Sequence, residues 1–188
     1  MRSMFEALLA MAEMPMDNYS ETARYRHLTA KYCYGCGIDV ASQAHPVVPW
    51  AIQIDLPVDE FDKYNGGAVL DGPVQLRGHA ESLPVESNSL DFVHASHILE
   101  DFAEWNPPIA EWVRVLKPGG RLIILIPDKE LWAAQQARGQ AGNPAHKHEG
   151  RVGELTEYAA GFPLEVIEDR LTNCFEHDYT ILFVAKKK

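Results

Sequence analysis

The chain has little of what several protein classes require. Its 188 residues include only three cysteines, Cys33, Cys36 and Cys174. So low and odd a count argues against a disulfide scaffold and favours a reducing compartment. No apolar run approaches the roughly 20 residues that a membrane-spanning helix needs. The N-terminal MRSMFEALLAMAEMP is interrupted by Glu6 and lacks a clear cleavage site, so it is interpreted as an amphipathic helix and the cytoplasm is the expected compartment.

Positive charge is also scarce. Seventeen lysines and arginines stand against 27 aspartates and glutamates, which gives a net charge of −10 and a pI of about 5.2. An acidic surface repels phosphate backbones, so nucleic acid is not expected as a partner. The one basic run, Lys186–Lys188, is interpreted as a solvated tail.

Neither repeats nor a low-complexity linker interrupts the chain. We expect a single domain over residues 1–188, with N-terminal helices over 1–30 and an α/β core over 31–188. Cys33 and Cys36 form a C-x-x-C pair, but a zinc or redox site needs a second ligand pair or a helix directly after the motif. Two structural cysteines at a strand end are the favoured interpretation.

The strongest pattern lies between Ser89 and Asp128. Leu122–Ile126 is a continuous apolar run, typical of a strand buried on both faces. Before it, Asn106 is a good N-cap for an amphipathic helix with proline in its first turn. Pro118 ends that helix, and Gly119–Gly120 permit a turn with positive φ. The pattern predicts a strand–helix–strand unit of a parallel sheet.

Further elements are predicted along the rest of the chain. The predicted helices are Ser20–Thr29 and Gly153–Ala160, and the linker Lys129–Leu155 is expected to be partly a mobile loop. The other predicted strands are Lys31–Tyr34, Trp50–Asp55, Val74–Arg77, Leu90–Val93, Leu164–Glu168 and Tyr179–Val184. Alternating strands and helices indicate an open α/β sheet with ligand sites at the carboxyl ends of its strands.

Two blocks, GHAESLPVESNSLDFVHASHILED and EWVRVLKPGGRLIILIPD, resemble the class I S-adenosylmethionine-dependent methyltransferases of the small-molecule "type 11" kind. The resemblance extends over about Lys31 to Ala185. It implies a Rossmann-like three-layer sandwich, with a mostly parallel seven-stranded sheet and a final antiparallel strand, here preceded by an N-terminal helical extension. It also implies S-adenosylmethionine as cofactor and a small-molecule methyl acceptor.

In that family a glycine-rich turn after the first strand lets the backbone approach the cofactor. The resemblance implies that YGCGID is this turn, with Gly35, Cys36 and Gly37 as cofactor contacts. Cys33 then stands where the family has an acidic residue that helps to hold the methionine amino group. Asp39 stands where a third glycine is usual.

The resemblance implies further cofactor contacts at the ends of the second and third strands. Asp55 would accept both ribose hydroxyls, Leu56 would line the adenine pocket, and the backbone around Ala80 and Glu81 would meet the adenine edge. His79 would accept the adenine amino group. The alternatives are that Asp55 only forms a turn and that His79 is an exposed loop residue.

Residues after the fourth strand are the candidates for catalysis. The resemblance places Ser96 beside the methionine moiety, although it is also suited to cap a helix. His97 is the first candidate for a general base, because an unperturbed imidazole titrates near neutral pH; the alternative is that it only shapes the pocket. His146 is a second candidate base or substrate contact. With His148 it is also suited to a metal or to a solvent-facing loop, and no metal is predicted.

The sequence leaves three functions to compare. The first is methyl transfer to a small molecule or a sugar-linked metabolite. The second is a non-catalytic binding or assembly protein on the same fold, favoured by Cys33 and Asp39. The third is a nicotinamide-dependent oxidoreductase, which is disfavoured because Val40 stands where G-x-G-x-x-G needs its last glycine. The pattern indicates no oligomeric state.

Overall fold

The computed structural model describes residues 20–42, 45–58, 60 and 74–188. The amphipathic helix predicted at the N-terminus lies outside these residues. The described strands are β1 Gly37–Val40, β2 Ile52–Asp55, β3 Leu76–Arg77, β4 Leu90–Ser96, β5 Leu116–Pro127, β6 Leu164–Leu171 and β7 Thr180–Lys187. The described helices are α1 Glu21–Thr29, α2 Asn106–Val115, α3 Lys129–Ala137 and α4 Glu154–Ala159, with 3-10 turns at Ala30–Tyr32 and Leu99–Asp101.

The seven strands form one sheet in the order β3-β2-β1-β4-β5-β7-β6. The pairs from β3 through β5 are parallel, and β7 is antiparallel to both of its neighbours. This confirms the expected Rossmann-like class with a final antiparallel strand. The strand order reverses between β1 and β4, and crevices for ligands form at such a point.

The centre of the sheet follows the apolar pattern of the sequence. Leu122–Ile126 is completely buried, and its residues alternate between the two faces. Leu122 and Ile124 pack in the cluster that contains Trp105 and Trp112, whereas Ile123 and Leu125 pack in a second cluster on the other face. Because it is buried on both faces, this run contributes apolar burial to the cores on both sides of the sheet.

Helix α2 begins one residue earlier than predicted. Trp105 occupies the N-cap position and Asn106 is the first helical residue, with proline in the first turn. The predicted turn after the helix is wrong, because β5 begins directly at Leu116; Gly119 has the expected positive φ, 83°, but lies within β5, where the register with β4 shifts. The indole nitrogen of Trp112 donates to the carbonyl of Ala80, 3.0 Å away, which ties α2 to the segment after β3.

The predicted first strand is wrong. Lys31–Tyr34 contains the end of a 3-10 turn and a loop, whereas β1 lies further along, at Gly37–Val40. Ile38 and Val40 are β-branched and pack in the core between β2 and β4, which favours the strand at this position. Cys33 is buried and donates to the carbonyl of Thr29, so it is a packing residue ahead of β1.

The predicted loop after Asp128 is also wrong in part. Residues Lys129–Ala137 form α3, and the Asp128 carboxylate caps this helix by accepting from the backbone N–H groups of Glu130 and Leu131, each at 3.1 Å. The other predicted helices and strands are found, with ends that differ by a few residues. None of the helices in the described ranges has the length and apolar character to cross a membrane.

Candidate cofactor-binding site

A cavity of about 350 Å³ opens at the carboxyl ends of β1, β2 and β4. It therefore lies at the point where the strand order reverses, the usual place for a ligand in such a sheet. Its volume is within the range of small-molecule sites. The lining residues are Val40, Ala41, Ile54, Asp55, Leu56, Gly78, His79, Ala80, Glu81, His97, Ile98, Asp101, Phe102 and Asn143.

The structure brings six of the eleven predicted site residues together in this cavity. They are Asp55, Leu56, His79, Ala80, Glu81 and His97. The other five, Gly35, Cys36, Gly37, Ser96 and His146, do not line it.

Asp55 is the last residue of β2 and is largely buried. Its Oδ1 accepts from the backbone N–H of Leu56 at 2.8 Å, and its carbonyl accepts from Gly78 N at 2.9 Å. The Arg77 guanidinium donates to the carbonyl of Leu56, 2.8 Å away. These bonds hold the ends of β2 and β3 together, so the Asp55 carboxylate has a fixed place in the cavity wall.

The segment after β3 forms a tight turn beside Asp55. Ser82 N donates to the carbonyl of His79 at 3.0 Å. The His79 side chain is half exposed, and its Nε2 lies 3.4 Å from a carboxylate oxygen of Glu60. The turn presents Ala80 and Glu81 at the cavity, in the order that the adenine-edge prediction requires.

The turn formed by Gly35, Cys36 and Gly37 lies at the opposite edge of the sheet. Cys36 N donates to Oδ2 of Asp91, 2.8 Å away, near the amino end of β4. Gly35 has a φ of 86°, and a Cβ there would meet the same Asp91 oxygen at 2.5 Å. The prediction that this turn follows the first strand is wrong, because it leads into β1, whose first residue is Gly37.

The turn that does follow β1 begins at Ala41. This residue lines the cavity with a φ of 57°, a left-handed conformation that costs a non-glycine residue about 1 kcal/mol. Asp39 precedes it by two positions. Asp39 and Ala41 have the spacing that the resemblance implies for the acidic residue and the first glycine, whereas Cys33 lies ahead of β1.

Asp39 is completely buried and fully engaged within the protein. His94 Nδ1 donates to its Oδ1, and the backbone N–H of Val47 donates to its Oδ2, both at 2.6 Å. The carboxylate thus anchors the segment between β1 and β2 to β4. It does not line the cavity.

His97 lies directly after β4 with a φ of 51°. Its Nδ1 is 3.2 Å from Oε2 of Glu21 and 3.4 Å from Oε1 of Glu100, and its Nε2 is 3.1 Å from Oγ1 of Thr180. Burial alone would lower the pKa of His97, but the two carboxylates outweigh burial and raise it. Both ring nitrogens have partners, a setting unlike the unperturbed imidazole on which the prediction of a general base rests.

Glu100 is completely buried between His97 and His146, and burial raises the pKa of its carboxyl. Its carbonyl accepts from Lys147 N at 2.7 Å and from His148 N at 3.0 Å. His146 therefore lies behind His97 and faces Glu100 at 3.6 Å, outside the cavity lining.

His146 and His148 point to different partners. His146 packs against Trp132, whereas the ring of His148 stacks on Trp105 at 4.3 Å and its Nε2 is 2.9 Å from Glu154. Within the described residues, no group of three or more His, Cys, Asp or Glu side chains has the geometry of a metal site.

Ser96 ends β4 in register with Leu125, and its side chain is buried. The 3-10 turn that follows has Ile98 at its N-cap and no side-chain cap, so the alternative of Ser96 as a cap is wrong. Eight of the lining residues were not predicted from the sequence: Val40, Ala41, Ile54, Gly78, Ile98, Asp101, Phe102 and Asn143. Ala41 could have been found by placing the first strand around Ile38 and Val40, which are β-branched residues that favour strands.

Comparison with known proteins points in one direction. Residues 32–124 match the model of a family described as a methyltransferase domain. None of the curated proteins matches the chain significantly.

Several solved structures share the fold. A S-adenosylmethionine-dependent methyltransferase from Thermotoga maritima has a TM-score of 0.63 and 19% identity, over 96% of this chain and 93% of that one. A methyltransferase-fold protein from Bacillus halodurans C-125 has a TM-score of 0.61 and 16% identity, over 89% and 98%. A S-adenosylmethionine-dependent methyltransferase from Aquifex aeolicus has a TM-score of 0.56 and 16% identity, over 96% and 88%.

Proposed function

Because this chain belongs to the class I S-adenosylmethionine-dependent methyltransferase family, we propose that it binds S-adenosylmethionine in the cavity and methylates a small-molecule acceptor. The observation that carries the proposal is the Asp55 carboxylate at the end of β2, which lines a cavity at the reversal of strand order.

The residues of the cavity suit the cofactor. A nucleoside requires a carboxylate that accepts from its ribose hydroxyls and an apolar surface for its base. Asp55 supplies the first, and Leu56 and Ala80 supply the second. The described lining residues include the acidic side chains of Asp55, Glu81 and Asp101 but no lysine or arginine, and the two histidines among them each face carboxylates, so the cavity suits a ligand with a positive charge at its reactive centre.

Each residue has a proposed part. Asp55 would hold the ribose hydroxyls, while His79 and the backbone beside Glu81 would meet the edge of the adenine. Ala41 and His97 would border the methionine end of the site. The bound cofactor supplies a methyl group on a sulfonium, and the chain's own residues contribute alignment and the exclusion of water.

The acceptor is proposed to be a small molecule or a sugar-linked metabolite. The acidic surface, with a net charge of −10, supports this class over nucleic acid. Because both nitrogens of His97 already have protein partners, an acceptor that needs no base from His97 fits best.

A second function is favoured by a specific observation. Ala41 replaces a glycine and Asp39 spends both carboxylate oxygens on the protein, so two parts of the usual cofactor site are changed. A methyltransferase-fold binding or assembly protein with weakened cofactor binding would show these changes.

Calorimetric titration with S-adenosylhomocysteine separates the two functions. Saturable binding is expected, weakened roughly tenfold or more in Asp55→Ala because charge-assisted hydrogen bonds to the ribose are lost. Asp91→Ala at the opposite edge is the matched control and should bind like the wild type. Absence of heat at millimolar ligand would contradict cofactor binding and favour the binding or assembly protein.

A further inference from the structure

A continuous line of hydrogen bonds leads away from the cavity through His97. Its Nε2 lies 3.1 Å from Oγ1 of Thr180. Thr180 Oγ1 lies 2.8 Å from the hydroxyl of Tyr25, which donates to Oδ1 of Asp178 at 2.6 Å. The line joins the end of β4, the start of β7 and helix α1, and it ends at a partly exposed carboxylate.

The carboxylate of Asp178, at which the line of hydrogen bonds ends, determines which atom donates in each bond. Burial opposes the ionisation of Asp178, but hydrogen bonds from Thr172, Tyr25 and backbone N–H groups outweigh burial and lower its pKa. An ionised carboxylate can only accept hydrogen bonds, so the hydroxyl of Tyr25 donates its one proton to a hydrogen bond with Asp178. The Tyr25 oxygen must then accept from Thr180, whose only proton is thereby used. Nε2 of His97 is left as the donor to Thr180.

The other ring nitrogen faces two carboxylates. Nδ1 is 3.2 Å from Oε2 of Glu21 and 3.4 Å from Oε1 of Glu100. Glu21 is itself oriented, because the hydroxyl of Tyr179 donates to its Oε1 at 2.7 Å. Because Glu21 accepts from Tyr179 through one oxygen and presents the other to Nδ1, an N–H on Nδ1 suits this contact, and Nδ1 is a donor as well.

We propose that His97 is held as a doubly protonated imidazolium that fastens helix α1 to the wall of the cofactor cavity, with Glu21, Tyr25 and Thr180 as its positioning residues. For the function proposed above, on which this consequence rests, His97 does not take a proton from the acceptor. The acceptor class is then one that arrives with its nucleophilic lone pair available, such as an anion or a neutral amine.

The carboxylates around His97 favour this state. Burial opposes the cation and so does Arg24 of α1, but Glu21 of α1 and Glu100 of the 3-10 turn outweigh them and raise the pKa of His97. From β7, Tyr179 stays protonated, because burial and then the nearby Glu21 raise its pKa. The ring of Tyr25 stacks on His97 with centroids 6.1 Å apart, and its own pKa is raised by burial.

Nitrogen-15 NMR of the imidazole groups in the ligand-free protein tests the proposal. At neutral pH both His97 nitrogens should give signals of protonated nitrogen. Glu21→Gln keeps an acceptor for Tyr179 but removes one charge, and should lower the His97 pKa by roughly one unit. Thr180→Val should also lower the His97 pKa. If Thr180→Val does not fold, Tyr25→Phe is used in its place.

Thr156→Val is the matched control, because it removes a hydroxyl from the carboxylate of Asp169, which is not part of the line to His97. It should leave the His97 signals unchanged. An unprotonated His97 nitrogen in the wild type at neutral pH, or a His97 pKa unmoved by Glu21→Gln, would overturn the proposal. Neither measurement uses the cofactor, so failure here is distinguishable from failure of S-adenosylhomocysteine to bind.

Discussion

The Oδ1 atom of Asp39 lies 2.6 Å from Nδ1 of His94, and both side chains are completely buried beneath the segment that joins β1 to β2. The second carboxylate oxygen accepts from the backbone of Val47. The Asp39 carboxylate is therefore committed to contacts within the protein, and the residue does not line the cavity.

Asp39→Asn should lower the free energy of unfolding by about 1–3 kcal/mol, because one buried donor loses its charged acceptor. Urea denaturation measures this change. Asp91→Asn, which alters a partly exposed carboxylate at the amino edge of the sheet, is the control and should cost about 1 kcal/mol or less. Equal effects of the two substitutions would show that the buried pair has no special importance.

Ala41→Gly should stabilise the protein by up to about 1 kcal/mol, because glycine adopts a φ of 57° without strain. The same denaturation experiment applies. Ala95→Gly near the carboxyl end of β4, where the residue pairs with strands on both sides, is a control of opposite sign, since glycine weakens a strand interior. A loss of stability in Ala41→Gly would contradict the left-handed conformation of the turn.

The contact between Glu21 and His97 should stabilise the protein in a pH-dependent way. Because the folded-state pKa of His97 is raised above its unfolded value of about 6.5, its contribution is complete at lower pH and disappears as pH rises through the folded-state pKa. Glu21→Gln should therefore cost about 1 kcal/mol near pH 6, a modest figure because Glu21 is partly exposed.

Near pH 9 the difference in the free energy of unfolding between the wild type and Glu21→Gln should be small, because the contribution of about 1 kcal/mol seen near pH 6 is lost. His177→Gln, at an exposed site on the loop before β7, should show no such trend. A Glu21→Gln effect that is constant between these pH values would refute the ionic contact.

Local patterns were enough for the centre of the fold. The five apolar residues of β5 and the proline at the start of α2 favour a strand and a helix where they stand, and Gly119 permits a positive φ, so most of the strand–helix–strand unit could be predicted from sequence. Asp55 was within reach for the same reason, since it directly follows an apolar strand.

Three features could not be predicted from local sequence patterns. The glycines around Cys36 form a motif by spacing alone, and spacing does not say on which side of β1 they lie. The glycines that follow helix α3 favoured the prediction of a loop there, although Asp128 is a recognisable N-cap for a helix. The partners of His97 could not be predicted, because Tyr25 and Thr180 are 155 residues apart in the chain and meet only through the packing of α1 on the sheet.

The most direct test of the account is to map S-adenosylhomocysteine onto the backbone by titrating the isotope-labelled protein and following amide chemical shifts. The predicted result is a set of shifted amides at Ala41, Asp55, Gly78–Glu81 and His97–Phe102, with Gly35–Gly37 unaffected at the opposite edge. Shifts centred on Gly35–Gly37, or no shifts at millimolar ligand, would contradict a cofactor site at the carboxyl ends of β1, β2 and β4.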